Sequence, residues 1–242
     1  MSSTRRAVQL LLGLLAYSLS MALLIHAGQG GMPWDVLHQG IVRRTGLPFG
    51  VVVGAMSGLA LLAWIPLRQR PGIGTVANVV VITVTIDPAL ALVERLVPDP
   101  ALAAGIALAV AGIVLNGLAT SAYLGVRLGP GPRDGLMTGL VGRTGWPVRV
   151  VRTLIEVVVV AAGWALGGTL GWATLAYALG VGPIVQATAR WFAPRGLTAG
   201  SPVRAPAAAA AAASAPVDVE GRVPTAATGS RPGEGGMPAP GR

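Results

Sequence analysis

The chain has 242 residues, of which 53% are hydrophobic and only 11% charged, and its mean hydropathy is +0.67. An ordinary soluble domain carries about 25% charged residues, so the composition points away from a soluble core and toward lipid. The net charge of +9 is built on arginine without lysine, and the absence of cysteine excludes a disulfide framework or a thiolate metal site.

Six apolar runs follow in chain order, at about 7–27, 49–67, 75–93, 101–126, 148–166 and 173–192. Each is near the length of about 20 residues that a helix needs to span the hydrocarbon core. The first run, behind Arg5 and Arg6, superficially resembles a secretory or twin-arginine signal. It is long for a signal, and it has a counterpart in the fourth run, so it is expected to belong to the fold. The fifth and sixth runs, separated by residues 167–172, read as a hairpin, with one longer bent segment as the alternative. From about Thr198 the chain turns to alanine, proline, glycine and serine. That stretch lacks the apolar surface to offset ordering entropy and reads as a disordered cytoplasmic tail.

The chain also matches itself. A gapless shift of 99 positions lays residues 30–77 on 129–176. Pro33 falls on Pro132, Asp35 on Asp134, Gly40 on Gly139, Arg44-Thr45-Gly46 on Arg143-Thr144-Gly145, Pro48 on Pro147, and Thr75 on Thr174. These residue types fix backbone shape, whereas chance matches would favour aliphatic pairs. Three units are expected: a first three-span repeat over 1–99, a second over 100–197, and the tail over 198–242. An odd number of spans per repeat makes the second copy enter the membrane from the opposite side, as in many secondary transporters. The fold class expected is an all-α polytopic membrane bundle. Its six transmembrane helices form two inverted three-helix repeats, each with a broken or re-entrant loop.

Arginine supplies the orientation. With the N-terminus in the cytoplasm, the cytoplasmic segments hold Arg5, Arg6, Arg68, Arg70, Arg127, Arg133, Arg143, Arg149, Arg152, Arg190 and Arg195, and the outer ones hold Arg43, Arg44 and Arg95. This is the positive-inside bias, and it places both termini in the cytoplasm. Because the arginines flank the apolar runs, the basic balance is not read as a nucleic-acid footprint.

The loops at 30–40 and 129–139 are too long for tight turns and too apolar for free solvent. Glycine and proline break the preceding helix, and a short half-helix then ends where Gly46 or Gly145 takes a left-handed conformation. Such a half-helix is allowed at membrane depth only where it lines a cavity or is buried by neighbours. Asp35 and Asp134 have two readings, as caps of these helices or as functional carboxylates that bind a cation, a proton or a polar solute. Trp34 occupies the position that Arg133 holds in the second copy. Thr75 and Thr174 are expected to cap helices.

Asp87 lies within the third run and Gln186 at the matching depth of the sixth. Asp87 is either an intramembrane functional group or, if Pro88 breaks the helix, an interfacial residue. Glu156 is expected to pair with Arg152 one turn away, and Asn116 to bond a neighbouring helix. Two histidines, His26 and His38, make a poor zinc signal, and His38 is expected at a loop–water boundary. The candidate polar pathway is therefore Asp35, Asp134, Asp87, Gln186, Arg133 and Asn116. No metal or cofactor site is expected. Nor is an enzyme, since there is no Ser/His pair, no metalloprotease motif and no paired carboxylates.

The segments 31–40, 72–78 and 129–137 resemble the YczE-like family of bacterial integral membrane proteins, over about residues 5–192. The resemblance implies a bacterial plasma-membrane location, kinship with YitT-type membrane proteins and, for some members, a link to secondary-metabolite production. It implies no reaction and supplies no catalytic residues. The functions expected are transport of a small solute or ion or, alternatively, an auxiliary role stabilising or localising another complex. The partners expected are the lipid bilayer, an unidentified solute or ion, and a membrane-protein partner or a second copy, with no nucleic acid.

Overall fold

Residues 3–192 are described by a computed structural model; the tail expected over 198–242 lies outside the described residues. Within them all regular structure is helical: α1 (Ser3–His26), α2 (Pro33–Thr45), α3 (Phe49–Trp64), α4 (Ile73–Leu96), α5 (Leu102–Gly125), α6 (Pro132–Thr144), α7 (Val148–Ala165) and α8 (Trp172–Phe192). The 99-residue shift carries the bounds of α1 onto those of α5 and the bounds of α2 onto those of α6. It also carries the first residues of α3 and α4 onto the first residues of α7 and α8. The six apolar runs fall on α1, α3, α4, α5, α7 and α8.

Side chains are distributed as in a protein dissolved in lipid. Leu11, Leu12, Leu15, Val80 and Val84 are exposed, whereas Ser18, Ser20, Asp35, His38 and Asn116 are buried. Helices α1, α4 and α5 are each long and apolar enough to cross a membrane, and α2 with α3, bent by 120°, would make a fourth span if counted as one. Helix α3 has 16 residues, about 24 Å at 1.5 Å per residue, and α7 carries Arg149, Arg152 and Glu156. The helical membrane protein therefore has three to four spans that stand on length and composition alone.

Helix directions follow from contacts at their ends. Arg6 at the start of α1 donates to Val126 O just past α5, and Gln9 donates to Ala122 O and to Phe192 O at the end of α8. Gly74 at the start of α4 donates to Leu128 O. These ends share one face. On the other, His26 at the end of α1 bonds Val97 O beyond α4, and Ala173 at the start of α8 donates to Gln29 O. So α1 and α4 run one way, and α5 and α8 the other.

The two copies also grip each other reciprocally. The bond from Gly74 N to Leu128 O (2.8 Å) has as its mate the bond from Ala173 N to Gln29 O (3.0 Å), with every residue moved by the repeat. Where α1 crosses α5, Gly13 seats on Tyr123 and its mate Gly112 on Leu24, the mate of Tyr123. Small residues of this kind let two helix backbones approach closely. Helix α2 packs on α7, and its counterpart α6 packs on α3. In the first pairing Gly163 of α7 lies against the backbone of Val36 and Leu37; in the second, Trp64 of α3 fills the space left by Gly135 of α6. Glycine and large residue have changed sides, so volume is conserved across the pair. Trp64, almost fully buried, also donates its indole N–H to Pro132 O at 2.9 Å.

Each half-helix ends as its sequence dictates. Gly46 and Gly145 adopt φ of 70° and 69° and donate to Val42 O and Val141 O. The arginines just before them satisfy carbonyls at the end of the opposite copy's span, where unpaired carbonyls and negative helix ends collect. Arg43 bonds Gly167 O and Thr169 Oγ1, and Arg143 bonds Pro66 O at 3.0 Å. Hence α2 ends at the face where α7 ends, and α6 at the face where α3 ends.

The helix starts differ from expectation. Gly72, not Thr75, is the N-cap of α4; Thr75 lies in the first turn, accepts from Gly72 N and donates to Pro130 O of the other copy at 2.7 Å. The N-cap positions of α2 and α6 are Met32 and Gly131, and neither has a side-chain cap bond. Pro33 and Pro132 open these helices, where the missing N–H costs nothing. Pro88 does not break α4, which continues to Leu96.

Candidate functional site: a polar chamber between two half-helices

The first turns of α2 and α6 meet inside the bundle. Arg133 lies over the ring of Trp34, 5.1 Å from its centroid, so two residues at equivalent repeat positions stack on each other. Beside them is a cavity of about 170 Å³, room for several waters or one small solute. All eight helices contribute to its wall, which carries Arg133, Asp134, Tyr123, Asn78, Arg152 and Glu156 among apolar groups such as Ile82 and Met137.

The two aspartates have different surroundings. Asp134 lines the cavity and its Oδ2 accepts from the Tyr123 hydroxyl at 3.2 Å. Asp35 is fully buried behind Arg133, and neither of its oxygens has a hydrogen-bond partner. Its charge faces His38 Nδ1 at 3.3 Å on its own helix and Arg133 Nη2 at 3.9 Å from the other copy. His38 is itself buried, with its ring edge-on to Phe49, and not at a loop–water boundary. The repeat explains the difference between the halves. Where the second copy has Gly131, which leaves space beside Asp134, the first has Met32, buried and touched by the Tyr17 hydroxyl through its sulfur at 3.8 Å.

Of the other candidates, Asn116 sits just behind the wall. It donates to Ser20 Oγ at 2.9 Å and accepts from Tyr177, a wall residue, at 2.8 Å, which ties α1, α5 and α8 together. Asp87 stands away from the cavity and accepts from Gly50 N with both oxygens at 3.1 Å, so a carboxylate of α4 serves the first turn of α3. Gln186 lies on the exposed face of α8. The Arg152–Glu156 pair forms at 2.9 Å and lines the cavity. Among the described residues no cluster of three or more His, Cys, Asp or Glu could hold a metal. Among the wall residues that sequence reasoning passed over are Tyr123, Asn78 and Tyr177. Asn78 and Tyr177 are repeat mates, and that pairing was the available signal.

DUF6198, described as a family of unknown function, matches residues 4–190. The uncharacterized membrane protein YczE of Bacillus subtilis is 31% identical over 183 residues, covering 72% of this chain and 80% of that protein. The chain belongs to the YczE-like family. An uncharacterized protein of Haemophilus influenzae is 36% identical over 177 residues, covering 73% of this chain and 80% of its own length. No solved structure matches the chain. The DUF6198 match, over residues 4–190, reaches all eight helices and so includes both half-helices and the residues of the chamber wall.

Proposed function

We propose that the chain is a membrane transporter for a small polar solute or ion. In this reading six spans form two inverted three-helix repeats in the bacterial plasma membrane, and both termini are cytoplasmic. The opposed directions of α1 and α5, and of α4 and α8, support the inversion. So do the reciprocal bonds, since exchange of partners between copies is the mark of a two-fold relation. Residues stacked on their own repeat mates, as Trp34 and Arg133 are, belong beside such an axis. In orientation, the face holding Arg5, Arg6, Arg68, Arg70, Arg127 and Arg190 outweighs the face holding Arg43, Arg44 and Arg95, which favours the first as cytoplasmic.

The observation that carries the functional reading is the chamber itself. Ionisable groups in a bilayer are costly and collect along substrate paths, and half-helices that meet at mid-depth are a recurrent way to build a solute site.

The test uses the chain's lack of cysteine. Single Asn78→Cys and Thr120→Cys variants in membrane vesicles are treated with a small charged thiol reagent from either side. A transporter's chamber is reached from both sides as the protein cycles, and solute slows the labelling. A chamber that reacts from neither side would sink the reading and favour an auxiliary protein.

A further inference from the structure

The charges on the chamber wall come in matched numbers, two guanidinium groups on Arg133 and Arg152 and two carboxylates on Asp134 and Glu156. Behind the wall lies one further carboxylate, Asp35, held between the positive first turn of α2, His38 and Arg133. A guest with net charge would leave one charge unmatched in a low-dielectric site, which is expensive. A guest bearing both signs is matched at both ends.

Spare binding capacity lies on two sides of this space. The Arg133 guanidinium makes no hydrogen bond among the described residues; it has the Trp34 face beneath it and Asp35 at 3.9 Å. Its planar fork suits a carboxylate. Asp134 has one weakly engaged oxygen, with Tyr123 at 3.2 Å. The space beside it is held open by Gly131, where an added Cβ would come 3.4 Å from Asp134 Oδ2 and 3.8 Å from Asn78 Oδ1. A carboxylate and an amide oxygen about one small group are suited to an ammonium. Ile82, Met137 and Val181 supply apolar wall. A cavity of about 150 Å³ holds benzene, so a guest here has about six to eight heavy atoms.

From this we propose that the chamber binds a small zwitterion of the α-amino-acid type, its carboxylate on Arg133 and its ammonium on Asp134 and the Asn78 amide oxygen. The proposal names the guest for the transport reading above and rests on the same chamber. Calorimetric titration of the full-length protein in lipid nanodiscs tests it, with L-alanine, L-valine and L-proline set beside 3-methylbutanoate and 2-methylpropylamine. Each of the last two keeps one charge only. At least one amino acid should bind about tenfold tighter than both, the least that one added charge-assisted hydrogen bond should give. Arg133→Gln should erase the preference over the amine, and Asp134→Asn the preference over the carboxylate. Arg133→Lys and Asp134→Glu, which keep the charges, should retain them in part. No binding by any of the three amino acids, or equal binding by a single-charge analogue, overturns the proposal; the wild-type panel decides this even if a variant misfolds. Uptake into proteoliposomes is read separately. Binding without uptake sinks transport and leaves the zwitterion site standing, whereas uptake of another solute with no amino-acid binding does the reverse.

Discussion

Asp35 is the residue on which the interior electrostatics turn. A fully buried carboxylate with no hydrogen bond depends on charges nearby, and here these are Arg133 and, when protonated, His38. Removing one member of a buried pair costs more than removing both, because it strands the other charge. Arg133→Gln should therefore destabilise the protein by about 3 kcal/mol, while Asp35→Asn with Arg133→Gln should lie closer to wild type. Thermal unfolding of the four proteins in detergent checks this, and a double variant no better than the single would refute it. A second test concerns volume. Gly135→Val drives a side chain into Trp64 and should cost about 1–3 kcal/mol by overpacking. Trp64→Gly should cost at least about 3 kcal/mol as a cavity. The double variant imitates the pairing of Gly163 with Val36, so it should cost clearly less than the sum. The sequence displayed Asp35 as a loop carboxylate but not its role, because the partner, Arg133, arrives from the other copy.

At the scale of elements, helix ends were more legible than helix starts. Thr-Gly at 45–46 and 144–145 marked both half-helix ends, because a left-handed cap is a local requirement that glycine meets best. A Cβ at Gly46 or Gly145 would meet nothing, so Gly→Ala at either site should cost only the conformational penalty, about 1 kcal/mol. Melting temperatures of the two variants check this, and a much larger loss would show that the turns are packed more tightly than the structure has them. The starts misled because their bonds are tertiary. Thr75 looked like a cap, yet its hydroxyl reaches Pro130 O in the other copy. Asp87 looked like a pathway residue by depth alone, yet it binds the first turn of α3. Depth along a helix is readable from spacing, whereas the face toward a neighbour depends on packing that spacing does not contain.

For the whole molecule, the repeat was the legible fact, and it survives as matched helix bounds and exchanged contacts. The chamber was only half legible. Its place between the two broken loops followed from the rule that such loops need a cavity or burial, and Arg133 and Asp134 were read in advance. Its asymmetry was not, since Met32 and Gly131 differ in bulk at one position and only their packing shows that one half is filled and the other open. The central claim is that the halves face opposite ways across the membrane. It is tested most directly at Thr45 and Thr144, equivalent exposed residues that close α2 and α6. Each is replaced by cysteine in the naturally cysteine-free chain and treated with an impermeant maleimide in intact cells and in inside-out vesicles. The account predicts that Thr45→Cys reacts only in cells and Thr144→Cys only in inside-out vesicles; labelling of both from the same side would contradict it.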